Sequence, residues 1–144
     1  MRAGFYAGDA GLVRFLSEVR KHAGYMVPGP VQAAAAVALD DDVHVDAQRA
    51  RYLDRLTFFR HVLAAEGATV GLPGGSFYLW AEAPAGDFPE GRAWAFTRHL
   101  AERGGVLVAP GDLYGEADAA HVRVAVVAPR ERLALVADRL AAAR

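Results

Sequence analysis

The chain contains no cysteine, which excludes disulfides, thiolate metal sites and cysteine nucleophiles. Lysine is nearly absent as well. Lys21 is the only one, set against many arginines, so a side-chain amine is available at a single position. Neither sign of charge prevails: 16 basic and 17 acidic residues leave a net charge of −1 over 144 residues. That balance speaks against a nucleic-acid partner or an acidic membrane surface. No apolar run approaches the roughly 20 residues that span a bilayer, and the N-terminus lacks the ordered regions of a secretory signal. A cytoplasmic protein is the expectation. What is present is globular: 53% hydrophobic and 23% charged residues, enough apolar material for one core in one ordinary domain.

Searches for common chemistry return little. The five histidines, His22, His44, His61, His99 and His121, form no metal-ligand pair on a helix face and no HExxH, so no metal site is expected. Gly71–Gly75 (GLPGG) fits neither a phosphate loop nor a dinucleotide fingerprint and reads as a turn. Ser17 and Ser76 lack the context of a nucleophile elbow. Asp40, Asp41 and Asp42 read as a solvated turn, with Asp42 capping the helix that follows. Trp80 and Trp94 sit at core spacing with no interleaved basic residues, as core aromatics do.

Along the chain, Met1–Gly8 reads as a short strand entered without a leading turn, as if in mid-structure. Asp9 caps a helix carrying Leu12, Val13, Leu16 and Val19 at helical spacing, and Gly24 ends it. Tyr25–Pro30 is a rigid loop, and Pro30 opens a second helix through Gln32–Leu39. A long third helix over 43–66 places Val43, Ala47, Ala50, Leu53, Leu56, Phe59 and Leu63 on one face, with Gly67 as its stop. Strands follow at 68–70 and 76–82, split by Pro73-Gly74-Gly75. Then come a helix around Trp94–Leu100, a strand at 106–109, the loop Pro110–Gly115 (PGDLYG), a strand at 121–127, and a last helix opened by Pro129. The class is α+β, helices packed on a small mixed sheet.

Three segments in order carry a resemblance: Arg2-Ala3-Gly4-Phe5 with Gly8-Asp9; Gly74–Trp80 with Pro110-Gly111 and Tyr114-Gly115; and His121-Val122-Arg123-Val124-Ala125. Together they resemble the C-terminal part of class I/II, fold-type-I aminotransferases that depend on pyridoxal 5'-phosphate. The stretch Arg20–Gln32 is similar to actinobacterial N-succinyldiaminopimelate aminotransferases. The resemblance implies a remnant of the large cofactor-binding domain and connecting helix over 1–30, and the small domain over 31–144. It implies that Arg2 binds the cofactor phosphate and that Arg123 binds the substrate α-carboxylate, both roles suited to a planar guanidinium. The PGDLYG loop would shape the substrate pocket, and Tyr25–Pro30 would lie near a subunit interface.

The resemblance also implies what this sequence does not contain. The family's Schiff-base lysine falls before Met1, and Lys21, in the helix after Asp9, does not align with it. The expectation is therefore a fragment that does not transaminate alone. The whole enzyme would be a homodimer exchanging amino groups between an amino acid, such as succinyldiaminopimelate, and 2-oxoglutarate. Other readings stay open: another amino-acid substrate, an aminotransferase-like regulatory domain, or a binding module without cofactor. The exposed edge of an unpaired apolar strand at Phe5–Ala7 speaks against the last.

Overall fold

The computed structural model describes residues 3–143. The chain divides into two compact units, one ending at Asp46 and one beginning at Ala47.

The first unit is built from local signals. Residues 3–8 are irregular and exposed rather than a strand, since the described residues of this unit contain no strand to pair with them. Helix α1 spans Ala10–His22, and the Asp9 carboxylate accepts from the backbone N–H groups of Gly11 at 2.9 Å and Leu12 at 3.0 Å, as the sequence predicts. Gly24, at φ +75°, closes the helix: the Tyr25 N–H donates to the Arg20 carbonyl at 2.9 Å. This left-handed ending is open to glycine without a Cβ penalty. Helix α2, Gly29–Leu39, carries Pro30 in its first turn. The cap of helix α3, Asp42–Ala65, is Asp41 rather than Asp42. Its Oδ1 takes the N–H groups of Val43 at 3.1 Å and His44 at 3.4 Å, while Asp42 is already the first helical residue.

The second unit has the core. On α3 the buried face is Leu56, Phe59, Val62 and Leu63, at helical spacing. The predicted face reached further back, but Leu53 and Val43 are exposed. Strands β1 (Thr69–Val70), β2 (Tyr78–Glu82), β3 (Ala109–Pro110) and β4 (His121–Ala125) form one sheet in the order β1-β2-β4-β3. Every pairing in it is antiparallel, so the sheet is not mixed. The link from β3 to β4 is too short for the crossover that parallel neighbours need. The helical crossover from β2 to β3 does return the chain in the same direction, but β4 inserts between those two strands. Residues 106–108, read as strand, lie outside the ladder, because only Ala109 and Pro110 pair with β4.

Helix α4, Arg92–His99, continues as one π-helical turn over Leu100–Gly104, and α5 spans Arg130–Ala142. Phe96, Leu100, Leu133, Val136 and Leu140 from these helices join Leu79, Ala81, Val122 and Val124 from the sheet in one buried cluster. The sheet thus has one face in the core and one open face, the ordinary condition of an antiparallel sheet. The α+β class is as the sequence predicts. No helix among the described residues is long and apolar enough to cross a membrane.

Candidate functional site

The open sheet face is set by strand alternation. In β2, Leu79 and Ala81 are buried, so Tyr78, Trp80 and Glu82 point the other way. In β4, Val122 and Val124 are buried, which turns His121, Arg123 and Ala125 to the same open face. The register places Trp80 across from Arg123 and Glu82 across from His121. Six side chains from two central strands therefore share one surface.

Arg123 is the focus of that surface. Its guanidinium carbon lies 4.5 Å from the centre of the Tyr78 ring and 4.7 Å from that of Tyr114. These are close cation–π distances. Among the described residues the guanidinium has no hydrogen bond and no ion pair. The carboxylate on the same face, Glu82, is engaged elsewhere: Arg92 Nη2 donates to its Oε1 at 2.7 Å. This hydrogen bond, with the positive charge of Arg92, holds the Glu82 carboxyl below its usual range. The positive charge of Arg123 is thus left uncompensated by its neighbours.

The rings around Arg123 are braced in turn. Trp80 meets Tyr114 edge-on, with centroids 5.6 Å apart, and stacks on His121 at 5.7 Å. Trp80 is 38% exposed and Trp94 is exposed too, so neither is the core residue that spacing suggested. Trp80 lies on this surface, and Trp94 reaches its loop from α4. The Trp94 indole N–H donates to Asp112 Oδ2 at 2.6 Å, fastening the loop that presents Tyr114. That loop is a 3₁₀ turn, Gly111–Tyr114. Gly111 has no room for a side chain: a Cβ there would lie 2.1 Å from the Asp118 carbonyl oxygen and 2.8 Å from that of His121.

Of the two predicted site arginines, Arg123 lies on this face, and Arg2 is outside the described residues. Lys21 is a solvated residue of α1, 60% exposed and 3.6 Å from Glu18. Strand alternation predicts Phe77 and Leu79 on one side and Tyr78 and Trp80 on the other, with core packing expected for all four. The alternation holds, but Tyr78 is half-buried and Trp80 exposed, and the register opposite Arg123 is not legible in the sequence.

The family profile "Aminotransferase class I and II" matches residues 1–140, and the chain belongs to that family. It is 48% identical to "Probable aminotransferase Rv1178" of Mycobacterium tuberculosis, over 96% of this chain and 32% of that protein. It is 45% identical to "4-dedimethylamino-4-oxo-anhydrotetracycline transaminase OxyQ" of Streptomyces rimosus, over 96% of this chain and 37% of that one. The solved structure of substrate-bound BacF from Bacillus subtilis superposes with a TM-score of 0.80 at 29% identity, over 95% of this chain and 35% of BacF. The chain spans about a third of the length of the relatives it matches.

Members of this family use pyridoxal 5'-phosphate. The described residues do not form a site for that group by themselves. Their one amine, Lys21, is exposed and ion-paired on a helix, and the open face offers a single cation flanked by rings. Such an arrangement suits a carboxylate, which can take two N–H groups from one guanidinium edge.

Proposed function

We propose that this chain is the C-terminal part of a pyridoxal-phosphate-dependent aminotransferase, in which Arg123 grips the α-carboxylate of the amino-acid or 2-oxo-acid substrate. The observation that carries the reading is the bare guanidinium of Arg123, flanked by two tyrosine rings and without an acidic partner among the described residues. Arg2 would bind the cofactor phosphate. The amine that holds the cofactor would come from residues ahead of Met1, and these 144 residues alone would not transaminate. On this reading residues 1–30 are the end of the large domain with its connecting helix, and residues 31–144 are the small domain. The compact division of the chain itself falls after Asp46. The whole enzyme would be a cytoplasmic homodimer, exchanging amino groups with 2-oxoglutarate.

For the substrate we propose N-succinyldiaminopimelate, an intermediate of lysine biosynthesis. The support is the segment Arg20–Gln32, which is similar to that subfamily. The alternative is a different amino acid, and the relatives' names favour no single substrate class.

The test begins with the reading frame preceding Met1. A frame that continues through a Ser-Lys pair gives a complete enzyme to assay with a panel of amino donors. Arg123→Gln should then raise KM for every donor by tenfold or more, because a charge-assisted pair contributes about 1.5–3 kcal/mol. A stop codon in that stretch would sink the enzymatic reading, and a flat KM would remove Arg123 from the site.

A further inference from the structure

Resting on the carboxylate reading of Arg123, we propose that Tyr78 and Tyr114 are positioning residues for the substrate carboxylate, acting through the faces of their rings. The need is physical. A cation on a partly buried strand must be held in one orientation to be useful, and the usual holder is an acidic side chain. An acid would occupy the same N–H edges that a carboxylate ligand needs, and binding would then require displacing it. A ring face attracts the cation through its quadrupole without hydrogen-bonding to the edge. Two rings at 4.5 and 4.7 Å hold the guanidinium while its donors stay available.

The surroundings carry the inference further. Glu82, the acid on this face, is bound by Arg92 at 2.7 Å, which keeps it from serving as the holder. Tyr114 does not sit on a free loop. Trp80 braces its ring edge-on, Asp112 ties its turn to Trp94, and Gly111 lets that turn lie against the Asp118 and His121 carbonyls. The loop Pro110–Gly115 is in this sense a mount for one ring. Tyr78 is fixed more simply, by its place in β2, with Phe77 beside it at 4.5 Å between ring centres.

The experiment has two arms. In the complete enzyme, Tyr114→Leu and Tyr78→Leu should each raise KM for the amino donor by roughly three- to tenfold with kcat little changed. A single cation–π interaction has that strength, and removing it weakens ground-state and transition-state binding alike. Tyr114→Phe and Tyr78→Phe keep the ring face and should stay within about twofold of wild type. Leucine variants as active as wild type, or phenylalanine variants as impaired as the leucines, would overturn the role of the ring faces. If Arg123→Gln itself leaves KM unchanged, the parent reading fails instead, so the two failures are distinguishable. The second arm needs no cofactor. In the 144-residue chain, the Arg123 side-chain proton resonances should be shifted upfield by the rings and return toward ordinary values in each leucine variant. Unshifted resonances in the wild-type chain would overturn the arrangement.

Discussion

The two units differ in what holds them. Every buried hydrophobic residue among those described, from Leu56 to Leu140, belongs to the second unit, and neither α1 nor α2 has a buried residue. In the first unit Leu12, Phe15, Leu16 and Val19 form a helical stripe that is exposed, at 43% or more for each. Its order comes from local devices: the Asp9 cap, the Gly24 ending, the Gln32 amide on the Val27 carbonyl, and Arg20 on the Tyr25 carbonyl. Isolated helices of such length are marginal in water. The second unit instead buries faces of α3, α4 and α5 and the π turn in one core with one face of the sheet. The lesson is that regular secondary structure and a stable core are separate properties. In the second unit the core face of the sheet fixes the strands, and so holds Arg123 on the opposite face without a hydrogen bond to its guanidinium.

The sharpest way to break this comparison is to truncate one aromatic in each unit. Phe59 is fully buried, and Phe59→Ala should cost about 3–5 kcal/mol through the apolar area returned to water and the cavity left behind. Phe15 is 65% exposed, and Phe15→Ala should change the stability of this chain by no more than about 0.5 kcal/mol. Equal costs in urea unfolding would show that the first unit has a core of its own.

Next in size is a methyl group added to the backbone. Gly111→Ala forces a shift of rigid carbonyls and should destabilise the second unit by about 1–3 kcal/mol, with loss of the Tyr114 placement. A methyl at Gly4 meets nothing within 4 Å, and Gly4→Ala should be neutral. Thermal melts of the two variants measure the contrast, and a neutral Gly111→Ala would mean that the turn is looser than its close approach implies.

These contrasts also explain what is legible in the sequence. Helix ends are readable because caps, prolines and glycines act within a few residues: Asp9, Gly24, Pro30 and Pro129 all fall where the sequence predicts. The cap at Asp41 differs by one position from the predicted one because three successive aspartates offer equivalent side chains. The α+β class follows from the change in period after Gly67. Sheet pairing is less legible, since it depends on contacts between distant segments. The strand expected at 106–109 is only two residues long, Ala109–Pro110, and the antiparallel insertion of β4 between β2 and β3 leaves no local mark. The carboxylate role of Arg123 rests on the family resemblance, and only its position in an alternating strand is legible from the residues themselves. Its tyrosine neighbours are not, because one comes from β2 through the register and the other from a loop through the fit of Gly111.

A smaller effect separates local from global order. Asp9→Ala removes two hydrogen bonds from the first turn of α1 and should cost that helix about 1 kcal/mol. Amide exchange in 10–14 should quicken while the melting of the second unit stays fixed. A fall in that melting temperature would tie the two units together energetically and weaken the contrast between them.

The mildest test uses acid, because Asp41 in the first unit and Glu82 in the second each carry a carboxyl with a lowered pKa. The backbone N–H of His44 is the main cause for Asp41, and the Arg92 hydrogen bond is the main cause for Glu82. A group whose folded pKa lies below its unfolded value stabilises the fold above the unfolded value. That contribution is lost as pH falls through the folded one. Both carboxyls should therefore support the structure at neutral pH and cease to do so in the acid range below the ordinary carboxylate values. The consequences should differ by unit. Losing the Asp41 cap frays the start of α3, seen as faster exchange at Val43 and His44, with no change in cooperative melting. Losing the Glu82–Arg92 pair acts where β2 meets the start of α4, so it should lower the midpoint of the cooperative transition slightly. Glu82→Gln should remove that acid sensitivity, its midpoint lying below wild type at neutral pH and converging with it in acid. Curves that stay apart at low pH would assign the difference to packing of the side chain instead of to its charge.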